Sequence, residues 1–301
     1  MSAPTAVTAE LLRQLPLPRA SDDSDKDGRG RVLVIAGSPE VPGAALLAGV
    51  AALRAGAGKL QIATAASIAP HLGLAVPEAL VVALPESPQG GIGPVIARLL
   101  VPRLERCDAV LIGPGMLDEE AARDLAAVIL EGADGPTFVL DAGALTRLAE
   151  ITDALRRQSG RVVITPHTGE MATLLGIPRR AVIADLLGSA REAASRLQAV
   201  VALKGATTYI VSPQGEAWFF DEGNVGLATS GSGDTLAGII VGLLARGATP
   251  LGAAMWGVYL HGEAGNRLSL IHGHVGFLAR ELLDAIPRIM ADLAPDGEPP
   301  R

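Results

Sequence analysis

The chain has 301 residues, of which 49% are hydrophobic, 3% aromatic and 19% charged, with a formal net charge of −7. That is enough apolar material for one large α/β core, and the acidic balance excludes the basic face that nucleic acid requires, though not a nucleotide held by backbone N–H groups. A single cysteine, Cys107, permits no internal disulfide and fits a reducing, cytoplasmic setting, and no apolar run is long enough to suggest a membrane span.

Residues 1–29 are polar, with the charged run 21–27, and read as a flexible N-terminal segment carrying one short helix at 9–14. A Val/Leu/Ile run at 31–36, stopped by Gly37-Ser38-Pro39, predicts a buried strand, followed by a small-residue helix at 43–55. Further strands are expected at 59–63, 79–83, 109–112, 137–140, 162–164, 200–204, 209–212 and 217–220. Helices are expected at 119–130, 170–175, 236–245, 250–268 and 275–292, and the Pro-rich tail 294–301 is expected to be disordered. Strands alternating with helices imply an α/β fold, a mainly parallel central sheet covered by helices on both faces, in one domain at 30–293.

In such sheets ligands gather at the carboxyl ends of the strands. Gly37-Ser38 with Gly43-Ala44-Ala45, Gly113-Pro114-Gly115, Asp141-Ala142-Gly143, Thr165-Pro166-His167-Thr168-Gly169-Glu170 and Lys204-Gly205-Ala206-Thr207-Thr208 all fall at such ends. A sixth motif, Gly231-Ser232-Gly233-Asp234, opens a helix. Its glycines let the first helical N–H groups turn towards an anion, and the aspartate beside them suits a base acting on a substrate hydroxyl. The same pattern also suits a simple helix cap. Lys204 with its small neighbours fits a nucleotide phosphate; an ordinary hairpin turn fits equally, and on the local residues alone is the favoured choice. Proline after a strand should push His167 into the crevice, while Glu170 stays open between a role in the site and a first-turn carboxylate. Asp141 is read as an N-cap in preference to a catalytic group. His71, His261, His272 and His274 lack metal-ligand spacing, and no protein metal ligand is assigned. Met255, Trp256 and Tyr259, at helical spacing, read as core or subunit contacts.

Taken together and in order, these motifs resemble the NAD(P)H-hydrate dehydratases of the ribokinase-like superfamily, over residues 31–283. The resemblance implies a three-layer ribokinase-like sandwich and a repair enzyme acting on the hydrated form (S epimer) of NADH or NADPH. ADP or ATP, with Mg2+, would phosphorylate the ring hydroxyl, and loss of phosphate would restore the double bond. On this resemblance Asp234 would be the catalytic base. Ala44, Ala45, Gly115, His167 and Asp234 would line the hydrate pocket. Lys204, Gly205, Ala206, Thr207, Thr208, Gly231, Ser232 and Gly233 would hold the nucleotide. The resemblance also implies a homotetramer, coupled to an epimerase on a separate chain because residues 1–29 are too short for one. Two departures stand out: Ser232 where many members have threonine, and Met116-Leu117 where several carry a further glycine. The alternatives are a hydroxyl kinase of vitamin-precursor type and a nucleotide sensor without turnover.

Overall fold

The computed structural model describes residues 3–18, 28–86, 92 and 94–294. Among these, the strands are β1 (Thr5–Ala6), β2 (Arg31–Ile35), β3 (Lys59–Ala65), β4 (Ala79–Leu84), β5 (Ala109–Ile112), β6 (Thr137–Leu140), β7 (Val162–Ile164), β8 (Val200–Leu203), β9 (Thr208–Val211) and β10 (Ala217–Phe220). The α-helices are α1 (Ala9–Gln14), α2 (Pro42–Arg54), α3 (Ala69–Ala75), α4 (Pro94–Leu104), α5 (Glu119–Glu131), α6 (Thr152–Arg157), α7 (Thr168–Leu175), α8 (Arg179–Ala184), α9 (Leu186–Leu197), α10 (Ser232–Ala245), α11 (Pro250–His272) and α12 (Ala279–Asp292).

The strands form one sheet in the order β1-β10-β9-β8-β7-β6-β5-β2-β3-β4, in which only β9 pairs antiparallel with its neighbours. From β2 the chain builds outward through β3 and β4, then returns to the other side of β2 with β5 and continues through β6, β7 and β8. The sheet therefore has a topological switch point between β2 and β5, where a crevice opens at the strands' carboxyl ends.

The strands are continuous apolar runs because both faces are buried. Along β2, Val32 and Val34 enter one core with Leu236, Ile239 and Ile240 of α10, while Leu33 and Ile35 enter the other with Leu125 and Ile129 of α5. β5, β6, β7 and β8 repeat the alternation: Leu111, Val139, Val163 and Ala202 face the α10 side, and Ile112, Leu140, Ile164 and Leu203 the α5 side. This two-residue period sets which side the residue just past each strand faces.

Three expectations differ from the structure. The lead-in segment is ordered where it is described: Thr5 and Ala6 pair with Trp218 and Phe219, Thr8 caps α1, and Val7 and Leu12 are buried. The few apolar residues in a polar stretch are enough to dock it; the charged run 21–27 and the tail 295–301 lie outside the described residues. The helix expected from residue 236 starts at Ser232, so the glycine-rich motif is itself the first turn. The last helix starts at Ala279 and not at 275, because Glu281 Oε2 accepts the Leu278 N–H at 2.6 Å and fixes the start there. Met255 and Trp256 are buried, and Trp256 Nε1 donates to the Leu15 carbonyl at 2.8 Å.

Small residues let α10 and α2 approach closely. A Cβ at Gly238 would lie 2.3 Å from the Ala48 carbonyl oxygen and 2.7 Å from the Ala51 Cβ. Alanine there gains about 1 kcal/mol of helix propensity but forces two backbones apart, a strain of about 1–3 kcal/mol or more. Gly238→Ala is therefore expected to lower stability by about 2 kcal/mol, seen as a lower denaturation midpoint with an unchanged slope.

Candidate active site

Asp141, Thr165 and Lys204 each follow a residue that faces the α5 side, so the alternation turns all three towards α10. They meet there. Lys204 Nζ donates to Asp141 Oδ1 at 2.8 Å, and the Thr165 hydroxyl donates to the same oxygen at 2.7 Å. Asp141 is 1% exposed. The expectation that it caps the following turn is not met: its side chain makes no cap hydrogen bond, because the buried ammonium claims it instead. The hairpin reading of Lys204–Thr208 is also correct, since β8 and β9 are its two arms. The Lys204 backbone N–H donates to the Pro166 carbonyl while its side chain turns under the sheet's end. Gly205 and Ala206 are exposed, and Thr207 and Thr208 half-buried.

Above this pair stands the start of α10. Gly231, the N-cap, has φ +86°, and a side chain there would meet Leu47 Cδ1 at 2.5 Å, so both conformation and space demand glycine. Thr235 N–H bonds the Gly231 carbonyl and Ser232 N–H the Thr229 carbonyl. The N–H groups of Gly233 and Asp234 have no acceptor among the described residues, leaving two first-turn donors at the positive end of a helix dipole. Lys204 approaches from below: a carbon added at Gly233 would sit 3.3 Å from Nζ. The turn that carries these two donors thus lies against the Lys204 ammonium, and both kinds of group suit a bound phosphoryl group.

The charges are mutually dependent. Burial draws the Lys204 ammonium down, but Asp141, Glu170 and Asp234 more than offset this and hold it above the ordinary lysine range. Asp234 is pushed up to about 6, chiefly by burial and then by the Asp141 carboxylate, with Lys204 pulling the other way. Glu170 is raised, again mainly by burial, against the opposing pull of Lys204. A carboxyl raised towards neutrality beside a lysine ammonium is a group chemically able to take a proton from a hydroxyl.

His167 was expected to enter the crevice; its ring instead caps α7. Nδ1 accepts from Gly169 N at 2.9 Å and Glu170 N at 3.0 Å, and Glu170 Oε2 accepts from His167 N at 2.7 Å, a reciprocal capping box. That use of Nδ1 leaves the ring proton on Nε2, on a side chain 59% exposed at the rim. At the switch point, Gly37 N–H donates to the Pro114 carbonyl, and a carbon at Gly115 would meet the Ala44 Cβ at 2.7 Å. Ala44 and Ala45 are both buried and present little side-chain surface. The first turns of α2 touch both halves of the site, Ala44 against Gly115 and Leu47 against Gly231.

One residue of the site carried no signal in the sequence. His261, set aside with the scattered histidines, shares a 2.8 Å hydrogen bond with the Ser232 hydroxyl from α11. Burial, with Lys204 nearby, lowers it to about 4. Its partner lies 29 residues away, beyond any local pattern. A cavity of about 740 Å³, lined by Arg31, Lys59, Arg103 and Arg106, opens at the amino ends of β2 and β3 and so takes no part in this site.

Comparison with known proteins agrees with the geometry. A family profile described as NAD(P)H-hydrate dehydratase matches residues 32–288. The chain is 49% identical to the ADP-dependent (S)-NAD(P)H-hydrate dehydratase of Xanthomonas campestris pv. campestris, over 97% of each chain. It is 40% identical to the bifunctional NAD(P)H-hydrate repair enzyme of Moorella thermoacetica, covering 94% of this chain but 53% of that one, about half its length. The structure of the ADP/ATP-dependent NAD(P)H-hydrate dehydratase of Bacillus subtilis, co-crystallized with ATP and Mg2+, superposes with a TM-score of 0.79 at 33% identity, over 96% of this chain and 98% of that one. With a ribokinase-like sandwich, and with the family profile matched over residues 32–288, this chain belongs to the NAD(P)H-hydrate dehydratase family.

Proposed function

We propose that the chain returns the S form of hydrated NADH or NADPH to the reduced dinucleotide at the expense of ADP or ATP. Asp234, Lys204 and the Gly233–Asp234 amides do the work. The observation that carries this reading is the turn with two N–H groups unpaired among the described residues, lying against the Lys204 ammonium, with the raised Asp234 carboxyl beside it. Asp234 takes the proton of the ring hydroxyl as its oxygen attacks the terminal phosphoryl group. The amides and Lys204 hold the phosphoryl oxygens while the bond to the nucleotide breaks. The ring then carries phosphate, a far better leaving group than hydroxide, and its departure with the neighbouring ring proton restores the double bond. His167 Nε2–H, at the rim, donates to the hydrate, and Gly115 with the Ala44–Ala45 backbone forms the opposite wall. Gly205–Thr208 and the Gly231–Ser232 backbone, but not the Ser232 hydroxyl, border the nucleotide.

No group of three or more His, Cys, Asp or Glu side chains among the described residues is placed to hold a metal. Mg2+ in this reading would be held mainly by the nucleotide's phosphates, since Asp141 is committed to Lys204 and Glu170 Oε2 to the His167 N–H. Bound there, the ion would neutralise phosphate charge. Among the described residues no helix is long and apolar enough to cross a membrane, and the one thiol, Cys107, is buried and held up at about 11; a cytoplasmic setting belongs to the same reading. A tetramer coupled to a separate epimerase belongs to the same reading, in which residues 30–293 act as one catalytic unit.

The deciding assay supplies hydrated NADH with ADP and ATP in parallel and follows recovery of reduced-nicotinamide absorbance. A stable phosphorylated alcohol without recovery would favour the hydroxyl-kinase alternative. Asp234→Asn is expected to lower kcat by about 10³-fold or more with nucleotide affinity little changed; wild-type turnover would end the assignment of the base. Since the base works ionised, kcat/KM should rise with pH through about 6, and Lys204→Met should move that limb to higher pH by removing the cation that opposes it. The same carboxyl weakens the fold. Its folded value, about 6, exceeds the ordinary 3.8, so stability falls as pH rises through that window, by about 2–3 kcal/mol. Asp234→Asn should accordingly be more stable than wild type above pH 6, with the gain vanishing below pH 4, read from denaturation midpoints across pH.

A further inference from the structure

On the reading above, the first turn of α10 must hold two amides and a carboxylate in register with Lys204, yet the Gly233 and Asp234 N–H groups are bonded to nothing among the described residues. Its N-cap, Gly231, makes no side-chain cap bond. A glycine-rich helix start without a cap has little of its own to resist fraying. Among the described residues, the side-chain hydrogen bond that ties this turn to a different element is Ser232 Oγ to His261 Nε2, at 2.8 Å. Ser232 is 4% exposed, so its hydroxyl is turned away from the open site and into the seam with α11. His261 sits mid-way along α11, whose neighbouring turns are anchored by buried Val258, Leu260, Gly262 and Ala264. A ring on a rigid, twenty-three-residue helix is a fixed post.

We propose that His261 is a positioning residue for the reaction: through the Ser232 hydroxyl it pins the first turn of α10 to α11 and so sets the Gly233–Asp234 amides and the Asp234 carboxyl against Lys204. The inference deepens the reading of Asp234 as base and rests on it. His261 touches neither reactant. Its imidazole is neutral at physiological pH, which suits the task, since an imidazolium beside Lys204 would add a second buried cation that nothing offsets. Misplacement of the turn by about 1 Å is enough to cost on the order of 10²-fold in rate.

The test is a double-mutant cycle on the full chain, with kcat and KM from the hydrate assay, ADP affinity by calorimetry, and denaturation midpoints. His261→Leu and Ser232→Ala should each lower kcat by about 10–100-fold while changing ADP affinity by less than about threefold. Because both remove the same tie, the Ser232→Ala/His261→Leu double variant should be no slower than the worse single one. His261→Gln, whose amide reaches the position of Nε2, should keep kcat within about threefold of wild type, and His261→Asn, too short to reach, should fall with His261→Leu. Losses that multiply in the double variant, wild-type kcat in a folded His261→Leu, or equal activity of the Gln and Asn variants would each overturn the proposal. If His261→Leu does not fold, the Gln and Asn pair still decides. Asp234→Asn run alongside keeps the two readings apart: an active Asp234→Asn sinks the base, whereas an intact base with independent Ser232 and His261 effects sinks only the tie.

Discussion

Burying an ammonium group costs several kcal/mol unless a carboxylate meets it, and at the carboxyl ends of β6 and β8 the largely buried Lys204 meets the buried Asp141 as a pair. Most of the site's chemistry follows from that pair. Asp141 fixes where Lys204 ends, and Lys204 in turn supplies the positive charge under the glycine-rich start of α10. Asp141 also raises Asp234 while Lys204 lowers it, so a single ion pair tunes that carboxyl from both directions. Thr165 completes the arrangement by donating to the same carboxylate oxygen, which leaves Asp141 no freedom to swing towards a ligand. Exchanging such a pair for well-packed apolar residues is often neutral for a fold, so the pair is better explained by the proposed chemistry than by stability.

Much of the architecture was legible because parallel strands buried on both faces write themselves as short apolar runs with hard stops. The run ending at Ile35 before Gly37-Ser38-Pro39, and those ending at Leu140 and Ile164, gave their boundaries directly. The same alternation held more than was taken from it. Counting faces along β6, β7 and β8 turns Asp141, Thr165 and Lys204 to one side, and that points to a pair and not a cap. The cap was preferred because strand, aspartate, small residue is what a helix start looks like over five residues, whereas the competing ammonium lies 63 residues further on.

His167 and His261 show the opposite failure. Proline before His167 was read as aiming the ring inward, but the nearest unsatisfied donors belong to the helix that follows, and Gly169 and Glu170 capture Nδ1. Local hydrogen-bond demand overrode the aim of the backbone. His261 stands in an apolar helix with no motif around it, and its hydrogen-bond partner Ser232 comes from the preceding helix. Pairing of that kind is fixed by how α10 crosses α11, a tertiary fact that spacing cannot express.

The strand at the start of the chain has a consequence outside catalysis. Thr5 and Ala6 lie against Trp218 and Phe219, and Val7 N–H donates to the Phe219 carbonyl at 2.8 Å. Without them β10 would present an open row of backbone donors and acceptors flanked by aromatic side chains, the kind of template on which a second chain can zip. Two residues thus act as a cover strip for the sheet's exposed margin. Trimming or fusing the chain close to Thr5 would alter its tendency to self-associate through β10 before it altered the chemistry at the far-off crevice.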